Sequence, residues 1–125
     1  MSSLDLDICY LSASEALEKF KNKSLSPVEL LNETIKRIEN VNPKINAFNF
    51  FRFEEALKEA KKSELKYTED KSTLPLEGLP LAIKDEVNVK GHPNKNGSLI
   101  YKDTIAEGTD VDVVSLVSSG AISHA

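Results

Sequence analysis

The sequence predicts an α/β fold: a helical lead-in followed by the first β-α-β elements of a mixed sheet. Three observations predict it. Two capped segments with helical apolar spacing fill the first half. An apolar run, Leu79-Pro80-Leu81-Ala82-Ile83, comes next, and a short apolar helical pattern closed by Gly120 then leads straight into Ala121-Ile122. Strand, crossover helix and strand form the unit that lays down parallel sheet, and such a sheet needs further strands and covering helices. The chain stops at Ala125, inside the second strand, so the expectation is the front portion of a larger domain.

The elements follow in order. Ser12-Ala13-Ser14-Glu15 is a capping box, with Leu11 and Ala16 placed as a weak hydrophobic staple. It predicts a helix over residues 13–21 that buries Ala16, Leu17 and Phe20. Ser26-Pro27-Val28-Glu29 combines a second box with proline at the first helical position, and Leu25 with Leu30 completes its staple. Val28, Leu31, Ile35 and Ile38 then recur at helical spacing, and Asn42-Pro43 is expected to stop the run. Residues 45–50 alternate imperfectly and are expected to be a short extended segment. Phe53, Ala56, Leu57 and Ala60 return to helical spacing, and the polar residues 61–73 are expected as an exposed helix end and a loop. Phe48, Phe50, Phe51 and Phe53 read as core packing rather than as an aromatic binding surface. A strand over 79–83 precedes a loop rich in Gly and Asn. A helix over 111–119 follows, capped by Thr109 or Asp110, with Val113, Val114, Leu116 and Val117 on its apolar side and Gly120 ending it.

Composition excludes several classes. The chain has 125 residues, 40% hydrophobic and 29% charged, which is ordinary globular composition. Sixteen Lys+Arg against twenty Asp+Glu give a formal net charge of −4, so no basic footprint argues for nucleic acid. No apolar run approaches the roughly 20 residues of a membrane helix. Residues 1–7 show neither a positive n-region nor an apolar h-region, so no signal peptide is expected. The one cysteine, Cys9, permits no internal disulfide, reads as a small packing residue and fits a reducing, cytoplasmic compartment. His92 and His124 lack metal-ligand spacing, so neither metal nor cofactor is expected.

Lys84 is the residue with a specific chemical hypothesis. It directly ends the apolar run. A lysine at the mouth of a buried strand can be desolvated, and desolvation favours the neutral amine that works as a base. Taken alone, Lys84-Asp85-Glu86 is more often a solvated strand end. The flanking pattern is more specific. Gly78-Leu79-Pro80-Leu81-Ala82-Ile83-Lys84-Asp85, then Val89-Lys90-Gly91, then Gly97-Ser98, resembles the N-terminal signature of the amidase signature family. Leu25-Ser26-Pro27-Val28-Glu29-Leu30-Leu31, Arg37-Ile38, Val41-Asn42-Pro43-Lys44-Ile45-Asn46-Ala47-Phe48 and Glu55-Ala56-Leu57-Lys58-Glu59-Ala60 resemble its helical lead-in, in the same order. Asp110, Val113-Val114-Ser115-Leu116 and Gly120-Ala121-Ile122 resemble the helix and strand that follow, and His124-Ala125 the start of a His-Ala-Arg-Thr stretch. One departure stands out: His92-Pro93-Asn94-Lys95-Asn96 replaces the stretch where the family usually carries a Thr-Thr pair.

The resemblance implies serine hydrolases that cleave carbon–nitrogen bonds through a Ser–cis-Ser–Lys triad, with components of glutamine-dependent tRNA amidotransferases among them. Lys84 matches the family lysine. Both serines and the oxyanion donors would lie in a later Gly/Ser-rich segment that these residues do not contain; Ser118-Ser119-Gly120 reads as helix-end punctuation. The implied fold is the beginning of a truncated amidase-signature mixed sheet, with residues 1–24 a helical segment and 25–125 the N-terminal part of an amidase domain. The implied partner is a small-molecule amide in the full-length parent, and the isolated chain is expected to be inactive and prone to self-association. The alternative is a non-catalytic helical interaction module of amidase ancestry. Ser63-Glu64-Leu65-Lys66 fits the Ser-x-x-Lys pattern of penicillin-recognising enzymes, but it lacks their partner motifs and is expected in a polar linker.

Overall fold

The computed structural model describes residues 8–125; the signal-peptide reading, which concerns residues 1–7, lies outside them. Helix α1 (Ala13–Lys21) starts on the capping box. Ser12 Oγ accepts from Glu15 N at 3.2 Å, and Glu15 Oε2 accepts from Ser12 N at 2.8 Å. Helix α2 (Pro27–Ile45) starts with Ser26 Oγ accepting from Glu29 N at 3.0 Å and Pro27 in the first turn, where its missing N–H costs nothing.

Asn42-Pro43 does not stop α2. The helix continues to Ile45 and ends at Asn46, which adopts a left-handed φ of 49° and donates to Asn42 O at 2.7 Å. Pro43 sits in the last turn, so the helix loses one bond near its frayed end rather than a ladder in its middle. Asn42 then uses its side-chain amide to fold the chain back, donating to Phe48 O at 3.0 Å and accepting from Phe48 N at 2.9 Å. The expected extended segment at 45–50 is therefore a helix end and an irregular loop.

Helix α3 (Phe53–Thr68) reaches well into the stretch expected to be exposed. Its buried face is Ala56, Ala60, Ser63 and Tyr67, a helical spacing disguised by one serine. Two cores result. Ala16, Phe20, Leu25, Leu30 and Tyr67 form one, with the rings of Phe20 and Tyr67 5.6 Å apart. Leu31, Ile35, Ala56, Ala60 and Ile122 form the other, which ties the sheet to the α2–α3 face.

Ser63-x-x-Lys66 is not in a linker. Ser63 Oγ donates to Glu77 Oε1 at 2.6 Å, Lys66 Nζ bridges Glu77 Oε2 at 3.0 Å, and Tyr67 Oη donates to Glu77 O at 2.9 Å. Buried Glu77 thus pins the chain to α3 immediately before the sheet begins.

Strands β1 (Pro80–Leu81) and β2 (Ile122–Ser123) pair in parallel, Pro80 opposite Ile122 and Leu81 opposite Ser123. The ladder is shorter than the expected strand over 79–83. Flanking bonds extend it, from Gly78 N to Gly120 O at 3.0 Å and from Ile83 N to Ala125 O at 2.9 Å. Helix α4 (Val111–Ser118) makes the crossover, and Gly120 ends it at φ +102°. A Cβ at Gly120 would lie 2.7 Å from Glu77 Cα, so the glycine is needed both for its backbone angle and for the close approach of the Glu77 turn. Of the apolar stripe on α4 only Val113 is buried; Val114 is 50% and Val117 44% exposed.

Candidate functional site

Lys84 stands just past β1, where the chain leaves the sheet. Lys84 O accepts from Val87 N at 2.9 Å, closing a turn that sends the backbone sideways. A polar network fixes the loop beyond. Asp110, at the N-cap of α4, accepts from Asn88 N at 2.8 Å and from Asn88 Nδ2 at 3.2 Å. Thr109 Oγ1 accepts from Lys90 N at 3.0 Å. Both residues that the sequence offered as caps thus reach back to the loop, and Asp110 makes no side-chain cap bond to its own helix.

Asn94 takes over where the chain departs from the family pattern. It is buried; its Nδ2 donates to Asn88 Oδ1 and to Glu86 O, and its Oδ1 accepts from Asn96 Nδ2 at 2.9 Å. Lys95 N donates to Asp85 Oδ1 at 3.2 Å. Side-chain amides supply the loop contacts here. Gly97-Ser98 forms a plain turn, with Ser98 Oγ accepting from Ile100 N at 3.2 Å.

A cavity of about 260 Å³ opens at the C-terminal end of β1, lined by Phe48, Phe50, Ile83, Lys84, Asp85 and His92 among others. The phenylalanines expected in the core are only partly buried, and Phe51 is 42% exposed. Two of them form a cavity wall, because Asn42 turns the 46–52 loop back over the strand end. Phe50 lies against His92 with ring centroids 4.8 Å apart. Burial pushes the His92 imidazole below its ordinary value, the Arg52 guanidinium adds to this, and the Glu55 carboxylate opposes it. Burial alone pushes His124 down. In both rings burial thus favours the neutral imidazole over the imidazolium.

The Lys84 ammonium is not desolvated. Its side chain is 74% exposed and bridges Glu86 Oε1 at 2.7 Å. Nothing among the described residues covers it. Sequence reasoning missed the cavity wall and the Glu77 anchor; the only signal for the anchor was the Ala56, Ala60, Ser63, Tyr67 spacing.

The helical lead-in, the β-α-β unit and the lysine at the strand mouth together define the front of an α/β amidase-type fold. The Amidase family model matches residues 29–125. Human fatty-acid amide hydrolase 2 is 36% identical over 120 residues, covering 90% of this chain and 22% of its own length. The A-type subunit of the glutamyl-tRNA(Gln) amidotransferase from Methylacidiphilum infernorum (isolate V4) is 35% identical over 112 residues, covering 90% of this chain and 21% of its own. A solved fatty acid amide hydrolase matches with a TM-score of 0.87 at 25% identity, over 99% of this chain and 22% of that one. This chain belongs to the amidase signature family. It spans about a fifth of the length of those curated relatives.

Proposed function

We propose that this chain is the N-terminal portion of a cytoplasmic amidase-type hydrolase that cleaves carbon–nitrogen bonds, with Lys84 as its general base and residues 1–24 preceding the amidase part at 25–125. The observation that carries this reading is the position of Lys84, at the C-terminal end of β1 and on the wall of a cavity of about 260 Å³. Ligands of open α/β sheets bind outside the carboxyl ends of the strands.

The chemistry needs two serines that lie beyond these residues. The neutral amine of Lys84 takes the nucleophile's proton through a bridging serine, and the nucleophile's oxygen attacks the amide carbonyl. The tetrahedral species collapses, its C–N bond breaks, and the amine leaves with a proton returned along the same relay. Water, deprotonated by that relay, then hydrolyses the acyl ester. Lys84 can serve only when its side chain leaves solvent and the Glu86 bridge opens, since water stabilises the ammonium form.

The reading predicts no turnover by the isolated chain on a panel of small amides, with Lys84→Ala as the control. Lys84-dependent hydrolysis by these residues alone would refute it. In a complete parent chain, Lys84→Ala should abolish acylation and leave stability nearly unchanged, because it removes the base of the serine relay rather than a packing group. Near-normal turnover of that mutant would reduce Lys84 to a surface charge.

A further inference from the structure

Two loops meet over the C-terminal end of β1, and the protein's own bonds hold each in place. The first carries Phe48 and Phe50. Asn42 clasps it at Phe48. Arg52 ties its far end to the outer edge of β2, with Nη1 donating to Ser123 O at 2.6 Å and N donating to His124 O at 3.0 Å. The Glu59 carboxylate holds that guanidinium at 2.7 Å. The second loop carries His92. Its backbone is bonded on both sides: His92 N donates to Val89 O and Ala106 N donates to His92 O, both at 2.9 Å. Pro93 then bridges to Ile105.

The loops touch ring to ring. Phe50 and His92 stand 4.8 Å apart with their planes tilted by 47°, and both line the cavity of about 260 Å³. Apart from Asn49, Lys84, Asp85 and His92, the residues lining it are aliphatic, aromatic or proline. An apolar wall with a few polar groups set into it is the composition of small-molecule sites. Burial favours the uncharged imidazole, so the wall presents a second ring rather than a cation. An apolar cavity of about 150 Å³ holds a benzene molecule, so this one has room for a ring and a carboxamide.

We propose that this cavity takes the ring of an aromatic carboxamide, with Phe50 and His92 as the residues that select it. This rests on the amidase reading above and names a substrate class for that site. An aromatic ring beside the Phe50–His92 pair gains offset or edge-to-face contacts that a straight alkyl chain cannot make. Little ordering cost is due on binding, because both loops are already hydrogen-bonded in position. Lys84 borders the same cavity. A ring held by the two loops therefore keeps its carboxamide in the space next to the proposed base.

The test titrates benzamide, acetamide and hexanamide into this chain and follows backbone amide shifts by NMR. Benzamide should shift Phe50, Ile83 and His92 saturably at millimolar concentration, acetamide should leave them in place, and hexanamide should bind about threefold more weakly than benzamide. His92→Ala should weaken benzamide about fivefold, whereas His92→Phe, which keeps a ring, should bind within about twofold of wild type. Should His92→Ala fail to fold, Phe50→Leu asks the same question from the other loop, with the same loss expected. No saturable shift with benzamide, shifts confined to the exposed Leu99–Tyr101 turn, tighter binding of hexanamide, or unchanged affinity in these ring-removing variants overturns the proposal. Turnover is read separately, in a complete parent chain. Benzamide binding here without amide hydrolysis there counts against the amidase reading alone. Hydrolysis there that favours acetamide over benzamide overturns the subsite and leaves the amidase reading standing.

Discussion

Replacing Glu77 by alanine should destabilise the chain more than any other single change of a charged residue. Ser63, 4% exposed, would lose the acceptor of its 2.6 Å bond. A buried hydroxyl left without a partner costs about 1–3 kcal/mol. The bond from Leu74 N at 3.3 Å and the bridge from Lys66, whose side chain is 38% exposed, add about 1 kcal/mol together, because solvent takes over much of the lysine's charge. The expected loss is about 2–4 kcal/mol, a drop in Tm of roughly 10 °C for a domain of this size. Glu77→Gln should cost about half as much, since the amide keeps an acceptor for Ser63. Burial pushes the Glu77 carboxyl up, but the bonds from Ser63, Lys66 and Leu74 and the charge of Lys66 outweigh it and hold the group below the ordinary carboxylate value. The unfolded chain therefore binds the proton first. The stabilisation is present above the ordinary carboxylate pKa and is lost as pH falls through the lower folded value. Urea titrations of the wild-type, Glu77→Ala and Glu77→Gln proteins between pH 7 and pH 3 measure both effects. A loss under about 0.5 kcal/mol at pH 7 for Glu77→Ala, or a gap between the wild-type and Glu77→Gln proteins that stays constant down to pH 3, would refute the anchoring argument.

Gly120→Ala should cost about 2–4 kcal/mol, because a positive φ and a backbone atom of Glu77 at 2.7 Å act together. Gly91→Ala, also at positive φ but with nothing within 4 Å of its Cβ, should cost only about 1 kcal/mol, and equal urea midpoints for the two would contradict this. His124 is buried as a neutral ring, so the unfolded chain takes up its proton first, and stability should fall as pH drops below about 6.5. His124→Leu should flatten that limb between pH 7.5 and 5 without loss at pH 7.5; an unchanged limb assigns the proton uptake elsewhere.

The parts legible in the sequence are those fixed by neighbours in the chain. Ser12 and Ser26 start their helices through bonds to residues three positions on, and the 3.6-residue recurrence of Leu31, Ile35 and Ile38 needs only the helix itself to make a face. The lysine-ended apolar run likewise located β1 and the crossover that follows. The first misreadings concern elements whose fate depends on distant partners. Asn42-Pro43 looked like a stop, yet the bond from Asn46 and the amide clasp on Phe48 carry the helix through it. Ser63 and Lys66 looked like linker because nothing local says that Glu77 will be buried over them; Asp110 does hold the N-cap position of α4, but its carboxylate goes to Asn88, 22 residues earlier, rather than to its own helix.

What the sequence alone determined is the order and type of the elements and the position of Lys84 at the mouth of β1. Only the tertiary structure decided that Arg52 closes one edge of the sheet, 71 residues from the serine it bonds, and that Lys84 stays 74% exposed. The reason is physical: caps and periodicity are satisfied within a turn or two of chain, whereas burial is a property of whatever surface arrives from elsewhere, and its sign at any residue is unknown until that surface is in place.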